Sequence, residues 1–472
     1  MSEGVSNPDP SFDLVEWKKL RSKVMRIYYG GAFVLGLLYS GYLATEYIYI
    51  RDVVGEDRAT MSFSLALGTS RSFGVIAALA GSIYYDFTLK VKQIAISALL
   101  IIVAGNVLYL LPYSLFCILF GNMLIFASAA AVSAIIAEVT HIFERDELTG
   151  ALAIVVGFRT LGMLTGPCLA FAFTRVDVKI SGWRLYAGNV PAVVLGVVSI
   201  LFLCCTYFLK NLAKIYDLKA HSESKRTTAY GEVDRADLPC DTGEYSGDSL
   251  AVTWKDDVIL VDVVQPQRVK TLKMYFSTAW SILRGRKYAC ILLTSAFATY
   301  SHFLTLNLFT VTAVEKLGWG TSDISYVRIT AMLGGLISTI LVIKLSKKIK
   351  DYLLILGIVS LTILPLVLLI LVNVIHNLLA RAIVLYISAF VTGIVEVACH
   401  IVTLSMIGKI VLAEYQGIGE AVRLAIFQIA YAFSGYGVGV VFNNIVTAGT
   451  LIILLNIFSL CLLIYERKRH GL

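Results

Sequence analysis

The sequence predicts an all-α integral membrane protein in which twelve helices cross the bilayer as two bundles of six. Of its residues, 58% are hydrophobic and 15% are charged, and the mean hydropathy is +0.78. These values exclude a water-soluble core. Six apolar stretches precede one polar stretch and six follow it, and each approaches the roughly 20 residues that a helix needs to cross a bilayer. The predicted spans, numbered 1 to 12, are 27–50, 61–85, 93–112, 115–138, 149–174, 188–209, 288–313, 322–343, 352–372, 382–407, 417–442 and 446–465.

The spans divide the chain into segments. The first span follows a polar tail without a small-residue cleavage site, so we interpret it as retained rather than as a signal peptide. The central linker is too polar to fold alone, and the apolar spacing at 269–283 predicts an amphipathic helix on the cytosolic surface before span 7. The segments are a tail (1–26), an N-terminal six-helix bundle (27–210), the linker (211–286), a C-terminal six-helix bundle (287–465) and a second tail (466–472).

The positions of lysine and arginine predict the orientation, with both termini in the cytosol. Because these residues lie near helix ends, the net charge of +8 is a topology signal and gives no support to a nucleic-acid partner. The basic clusters are Lys18, Lys19, Arg21, Lys23 and Arg26 before span 1, Lys344, Lys347, Lys348 and Lys350 after span 8, and Arg467, Lys468 and Arg469 after span 12.

The sequence contains none of the motifs expected of an enzyme. It has no nucleophile–base arrangement, nucleotide-binding loop or metal-ligand cluster. The eight cysteines lie mostly inside spans without metal-ligand spacing, which is typical of packing residues. We therefore expect no enzymatic activity, no cofactor and no metal.

Two short loops in equivalent positions, 82–90 and 344–351, indicate a weak internal repeat. The first resembles the loop motif of the major facilitator superfamily, with Asp86 and Lys90 in the acidic and basic positions and Ser82 where glycine is usual. Span 5 contains Gly162 and, four residues later, Gly166-Pro167, a small-residue face that lets helices approach closely. The resemblance implies the twelve-helix facilitator fold, and we predict that Asp86, Lys90, Gly166 and Pro167 form the gate.

Four further motifs resemble the facilitator family of the lysosomal ceroid lipofuscinosis type 7 protein and, more distantly, vacuolar phosphate transporters that carry an SPX domain. They are Glu144-Arg145, Leu345-Ser346-Lys347-Lys348-Ile349, Lys409-Ile410 and Gln416-Gly417. This resemblance implies an endolysosomal carrier, with anion permeation proposed for the family. The chain departs from the pattern in span 4, which has no arginine, in span 7, where Leu306 replaces an expected acidic residue, and at Glu46, where proline is common.

Ionisable residues are costly inside a bilayer, by about 2.5–3.5 kcal/mol on insertion scales, so their distribution indicates which helices meet water. Spans 3, 6, 9 and 12 carry none in their interiors, which predicts that they face lipid. Glu396 and His400 stand four residues apart in span 10 and share one helix face. We predict that this pair, with Glu46, couples transport to protons; the alternative is a buried pair that fixes helix packing.

Arg71 and Arg159 lie near mid-membrane by count and indicate an anionic substrate, unless they pair with nearby glutamates. His302 and Asn307 in span 7 are predicted to line the cavity or to hydrogen-bond between helices. Arg328 is predicted to snorkel at the membrane interface. Arg423 and Glu420, three residues apart, are predicted to form a local ion pair.

These observations predict a secondary transporter of a small solute, assigned as an anion, that works by alternating access and is coupled to protons. We expect it in a lysosomal or endosomal membrane, with the plasma membrane as the alternative, and its partners to be the substrate and the lipid bilayer. Residues Tyr230–Val233 match a tyrosine-based signal for sorting adaptors. Two alternatives remain open: an anion channel on the same fold, and a transport-inactive adaptor that acts through the linker.

Overall fold

The computed structural model describes residues 14–111, 114–143, 145–180, 183–213, 215, 252–255, 258–261, 272–346, 348–411 and 416–470. The predicted sorting motif and most of the predicted linker lie outside the described residues. The described helices are α1 (Leu14–Ser40), α2 (Glu46–Val54), α3 (Glu56–Thr88), α4 (Val91–Leu110), α5 (Leu115–Ile125), α6 (Ser128–Ile142), α7 (Arg145–Ala172), α8 (Val190–Thr206), α9 (Leu272–Arg284), α10 (Arg286–Leu317), α11 (Thr321–Leu345), α12 (Asp351–Leu361), α13 (Ile363–Val374), α14 (Leu378–Ile410), α15 (Gln416–Asn443) and α16 (Ile445–His470). The described strands are β1 (Asp177–Ile180), β2 (Trp183–Tyr186), β3 (Val252–Lys255) and β4 (Val258–Val261).

The prediction of a helical membrane fold is confirmed. Ten helical segments in the described part of the chain are long and apolar enough to cross a membrane, and they correspond to spans 2 to 5 and 7 to 12. Span 6 is the shorter apolar helix α8, with 17 residues. Span 1 is divided between α1 and α2, and neither helix is among these ten segments.

Three predicted spans are bent or interrupted. In span 1 the helix starts at Leu14, well before the predicted position 27, and stops at Ser40, after which short turns lead into α2 at Glu46. Span 4 bends between α5 and α6. Span 9 bends at Thr362, because Pro365 has no N–H to donate to the carbonyl group one turn earlier.

The two halves of the chain meet most extensively along two pairs of helices, α3 with α15 and α7 with α11. The helix of span 7, α10, is the most enclosed of the candidate spans: 72% of the residues in its apolar stretch are buried inside the protein. In α16 of span 12 the corresponding share is 28%. The helices of spans 3 and 9 are also less buried than those of spans 7 and 11. For spans 3, 9 and 12, the expectation that charge-free spans lie at the periphery therefore agrees with the packing.

Two short antiparallel hairpins, which the sequence analysis did not predict, accompany the helices. β1 pairs with β2 between spans 5 and 6, and the Arg184 guanidinium binds the Asp177 carboxylate at 2.9 and 3.0 Å. This ion pair lowers the pKa of the Asp177 carboxyl group. β3 pairs with β4 inside the predicted linker, where β-branched residues favour strands. We call the membrane face that carries β1–β2 the hairpin side, and the face where α1 begins and α16 ends the tail side.

The hairpin side is closed by contacts between the halves. The Tyr47 hydroxyl donates a 2.6 Å hydrogen bond to Glu315 of span 7. The Ser64 hydroxyl is 2.8 Å from the carbonyl oxygen of Gly435, and the rings of Phe171 and Tyr326 lie 5.1 Å apart. On the tail side the halves also approach, and a cavity of about 10 Å³ remains between spans 4, 10 and 11.

Candidate functional site

Arg71 of α3 lies at the centre of the molecule and is only 2% exposed. Its guanidinium carbon is 4.0 Å from the ring centroid of Phe126 and 4.4 Å from that of Tyr39, both in the N-terminal half. In the C-terminal half, Tyr431 and Phe303 lie 5.9 and 6.0 Å away. Cation–π attraction therefore offsets part of the cost of burying this charge, while its Nη1 atom has no hydrogen-bond partner.

Arg159 of α7 lies next to this cluster, with its guanidinium carbon 5.5 Å from the Tyr39 ring. Its backbone is held by a close helix crossing, because a Cβ atom placed on Gly36 would lie 2.0 Å from the Arg159 carbonyl oxygen. The Arg159 Nε atom is buried and has no hydrogen-bond partner. Span 5 therefore presents a second guanidinium with unused donor capacity to the centre of the protein.

Arg328 of α11 is the third central arginine, and the prediction that it snorkels at the interface is wrong. Its side chain is 1% exposed, and Nη2 donates a 2.7 Å hydrogen bond to Thr310 of α10. The guanidinium interacts electrostatically with Glu396 and Glu46. Position along a helix gives the approximate depth in the bilayer but not the direction of the side chain, and Arg328 points into the bundle.

Two carboxylates face the three arginines. Glu396 of α14 interacts electrostatically with Arg159, Arg328 and Arg71. Glu46, at the start of α2, accepts a 2.5 Å hydrogen bond from Asn122 and interacts with Arg71 and Arg328. Three guanidinium groups against two carboxylates leave one positive charge in excess when all five groups are ionised.

Glu396 and His400, which the sequence predicts on one helix face, are not hydrogen-bonded to each other in the described part of the chain. Glu396 interacts with the arginines, whereas His400 Nδ1 lies 3.5 Å from Nη1 of Arg423. Arg423 in turn forms a buried bidentate pair with Glu420, at 2.7 and 2.5 Å, as predicted for these two residues. Glu396 and His400 lie on the same helix face, but each interacts with guanidinium groups on other helices.

The remaining candidate residues lie at different places. His302 and Asn307 of α10 are buried, yet neither belongs to the described residues that line the central cavity. Asp86 lies beside the hydroxyl of Tyr275 on α9, at the tail side. Lys90 is the N-cap residue of α4.

Gly166 packs span 5 against span 1, since its Cβ would lie 2.1 Å from the Ser40 hydroxyl oxygen. This contact lies inside the N-terminal bundle and not between the halves. Pro167 follows within the same unbroken helix. The small-residue face that the sequence predicted is therefore a helix-packing face.

A cavity of about 20 Å³ lies between the halves, next to the arginine cluster. A space of this size holds about one water molecule. No group of three His, Cys, Asp or Glu side chains in the described part of the chain is arranged to hold a metal ion. The cavity is lined by Leu35, Tyr39, Phe126, Ser128, Ala129, Val132, Arg159, His400, Leu424, Gln428 and Tyr431.

Sequence reasoning missed the aromatic rings around Arg71 and the amide of Gln428. Aromatic residues are common in membrane spans, so no single ring is conspicuous in the sequence. A usable signal is their depth: Phe126, Phe303 and Tyr431 lie well inside spans, away from the interfaces where aromatic residues usually concentrate.

Comparison with known proteins agrees with this architecture. The family model of the Major Facilitator Superfamily matches residues 28–435, and the chain belongs to that superfamily. No curated protein matches the chain in a sequence search.

Solved structures of transporters share the fold. The human organic anion transporter MFSD10 (TETRAN) is 15% identical, with a TM-score of 0.61, over 94% of this chain and 99% of that one. The proton:xylose symporter XylE is 13% identical, with a TM-score of 0.63, over 95% and 96%. A POT family transporter in complex with 5-aminolevulinic acid is 12% identical, with a TM-score of 0.59, over 93% and 94%. Family and fold together support a secondary transporter rather than an enzyme.

Proposed function

We propose that this protein is a secondary transporter of a small anion, that Arg71 and Arg159 bind the anion, and that Glu396 carries the coupled proton. The observation that carries this proposal is the presence of buried guanidinium donors without partners at the interface of the two halves. An unsatisfied buried donor costs about 1–3 kcal/mol, more when it is charged. An anion in the adjacent cavity would bind Arg159, which lines it, and would lie beside the Tyr39 and Phe126 rings that cover Arg71. It would also offset the excess positive charge.

Protonation of Glu396 provides the coupling. When its carboxylate is ionised, it competes with the anion for Arg159, Arg328 and Arg71, with all of which it interacts. Protonation removes this competing charge and strengthens anion binding. By linkage, the bound anion strengthens proton binding by the same factor, so that the two cross the membrane together. His400, which contacts Arg423, is not needed for this step.

Alternating access fits the packing of the halves. Contacts through Tyr47 and Ser64 join the halves on the hairpin side, and narrow cavities lie between the described residues at the centre and on the tail side. Because the central cavity is lined by both halves, rocking one half against the other would widen it. A channel would instead need a continuous pore.

Exchange of labelled anions in liposomes tests the binding site. We expect the purified chain to exchange at least one of chloride, phosphate and benzenesulfonate with saturation, and Arg71→Gln or Arg159→Gln to reduce kcat/KM by at least tenfold, since each removes a charged hydrogen-bond donor worth about 1.5–3 kcal/mol. Arg58→Gln is the control, because Arg58 is exposed on the hairpin side. Linear, unsaturable flux would indicate a channel, and no flux of any of the three anions would contradict the anion assignment.

We also propose an endolysosomal location, supported by the resemblance of the loop motifs and by the motif at Tyr230–Val233. If adaptors recognise this motif, Tyr230→Ala should move the full chain from endolysosomes to the plasma membrane, as seen by surface biotinylation. Glu232→Ala, which keeps the tyrosine and Val233, is the control. An unchanged distribution in Tyr230→Ala would exclude the motif as the sorting signal.

A further inference from the structure

The central cavity combines an apolar wall with a small polar patch. The rings of Tyr39, Phe126 and Tyr431 and the aliphatic side chains of Leu35, Val132 and Leu424 form most of its lining. The polar patch consists of Arg159, His400, Gln428 and Ser128. Sites for organic ligands typically have this composition, with apolar walls and a few polar groups that fix orientation.

Three polar side chains around this cavity have atoms without partners. They are Nε of Arg159, Nε2 of His400 and Oε1 of Gln428. His400 and Gln428 are only 8% and 5% exposed. Buried polar atoms in native proteins are generally paired, so the two donors among them, on Arg159 and His400, indicate a ligand that accepts hydrogen bonds at this cavity.

The hydrogen bonds of His400 determine which of its nitrogens can donate. A guanidinium has donors and no acceptor, so His400 Nδ1, 3.5 Å from Arg423 Nη1, is the acceptor in that contact. The neutral ring therefore carries its proton on Nε2. The cavity thus offers donors from Arg159 and His400, and one acceptor from Gln428.

We propose that the transported anion is an organic monoanion with a flat apolar body, such as an aromatic carboxylate. Its charged head accepts hydrogen bonds from Arg159 and His400, and its body packs against Tyr39, Phe126 and Tyr431. This inference rests on the proposed function and names the substrate class for the same site.

The charge of the site favours a monoanion. The three central arginines exceed Glu46 and Glu396 by one positive charge when both carboxylates are ionised, and a monoanion that binds together with the proton on Glu396 leaves this net charge unchanged. The adjacent Arg423 is already neutralised by Glu420. A small inorganic ion would satisfy the donors but leave the aromatic wall without contact. Tyr431 belongs to the C-terminal half, and Tyr39 and Phe126 belong to the N-terminal half. When the halves move apart, a flat organic body can therefore pack between these rings.

Exchange by the full chain in liposomes distinguishes the substrate classes. Benzenesulfonate and methanesulfonate are both permanently charged monoanions that differ in the ring. We expect saturable exchange of benzenesulfonate with a KM about tenfold below that of methanesulfonate, because burial and stacking of the ring favour binding, and we expect benzoate to compete. Saturable exchange of chloride or phosphate without a preference for the ring would overturn this inference and leave the anion transporter in place. No exchange of any of these anions would overturn both.

Two substitutions test whether the ring binds at this cavity. Phe126→Leu and Tyr431→Leu should each reduce the preference for benzenesulfonate over methanesulfonate by roughly two- to tenfold, the range expected for loss of aromatic stacking. Phe120→Leu and Phe433→Leu are matched controls on the same spans, since these rings are 41% and 64% exposed towards lipid. If both cavity variants keep the full preference, the ring binds elsewhere and the assigned site is wrong. The comparison of ligands on the unmodified chain stands even where a variant fails to fold.

Discussion

At the scale of single residues, the centre of the protein is organised by arginines whose partners are mainly on other helices. Aromatic rings surround Arg71, Thr310 binds Arg328, and Glu396 interacts with both and with Arg159. Cation–π contacts contribute about 2 kcal/mol or more when the cation is desolvated. This explains how Arg71 is held in the interior while part of its hydrogen-bonding capacity remains free for an anion.

The buried pair of Arg423 and Glu420 predicts a strong effect on stability. Glu420→Gln should lower the free energy of unfolding by about 3–5 kcal/mol, because it leaves the Arg423 charge buried without its counter-ion. The melting temperature of the purified protein in detergent measures this change.

The control for this pair is Glu147→Gln, which removes the same charge from a largely exposed contact with Arg21. Exposed ion pairs contribute at most about 1 kcal/mol, so this variant should melt close to the unmodified chain. Equal melting temperatures of the two variants would show that Arg423 does not depend on Glu420 for its stability.

At the scale of helices, spans 1 and 5 are joined by glycines that let their backbones touch. A Cβ atom on Gly36 would lie 2.0 Å from the Arg159 carbonyl oxygen, and one on Gly162 would lie 1.9 Å from that of Phe33. The sequence predicted this face correctly from the spacing of Gly162 and Gly166, because small residues four apart are typical of close helix pairs. It did not indicate the partner helix, since the spacing describes only one of the two surfaces.

The crossing at Gly36 predicts a loss of stability on substitution. Gly36→Ala should destabilise the protein by about 1–3 kcal/mol through overpacking and displace Arg159, lowering anion exchange as well. Gly30→Ala on the same helix is the control, because a Cβ there meets no atom within 4 Å. Alanine stabilises a helix relative to glycine by about 0.5–1 kcal/mol, so this variant should not be destabilised. Thermal melting of both variants measures the difference; a Gly36→Ala variant as stable as Gly30→Ala would contradict the observed packing.

At the scale of the whole molecule, the two halves enclose a central cavity that neither half forms alone. The central cavity takes residues from both, and the hairpin side is sealed by contacts such as Tyr47 with Glu315. A transporter that rocks its halves would form and break these contacts in each cycle. In the proposed cycle, the anion site and the interface that moves are therefore the same structural feature.

Hydropathy and charge were sufficient to predict this architecture, because the bilayer requires long apolar helices and places charged residues towards the interior. They also pointed to Arg71, Arg159 and Glu396, which lie together at the centre of the structure and whose role in transport stays a prediction. They failed for Arg328, and for the pairing of Glu396 with His400, because side-chain partners depend on helices distant in sequence. The break in span 1 was also missed, since no proline marks it between Ser40 and Glu46.

The central claim, that Glu396 couples a proton to an anion held by the arginines, is tested most directly by accumulation driven by a pH gradient. The probe is whichever of chloride, phosphate and benzenesulfonate the unmodified chain exchanges in liposomes, and Glu56→Gln, at an exposed site, is the control. We predict that the unmodified chain and the control accumulate the anion against its gradient when the outside is acidic, whereas Glu396→Gln exchanges it at equal pH but does not accumulate it. Accumulation by Glu396→Gln equal to that of the unmodified chain would contradict the account.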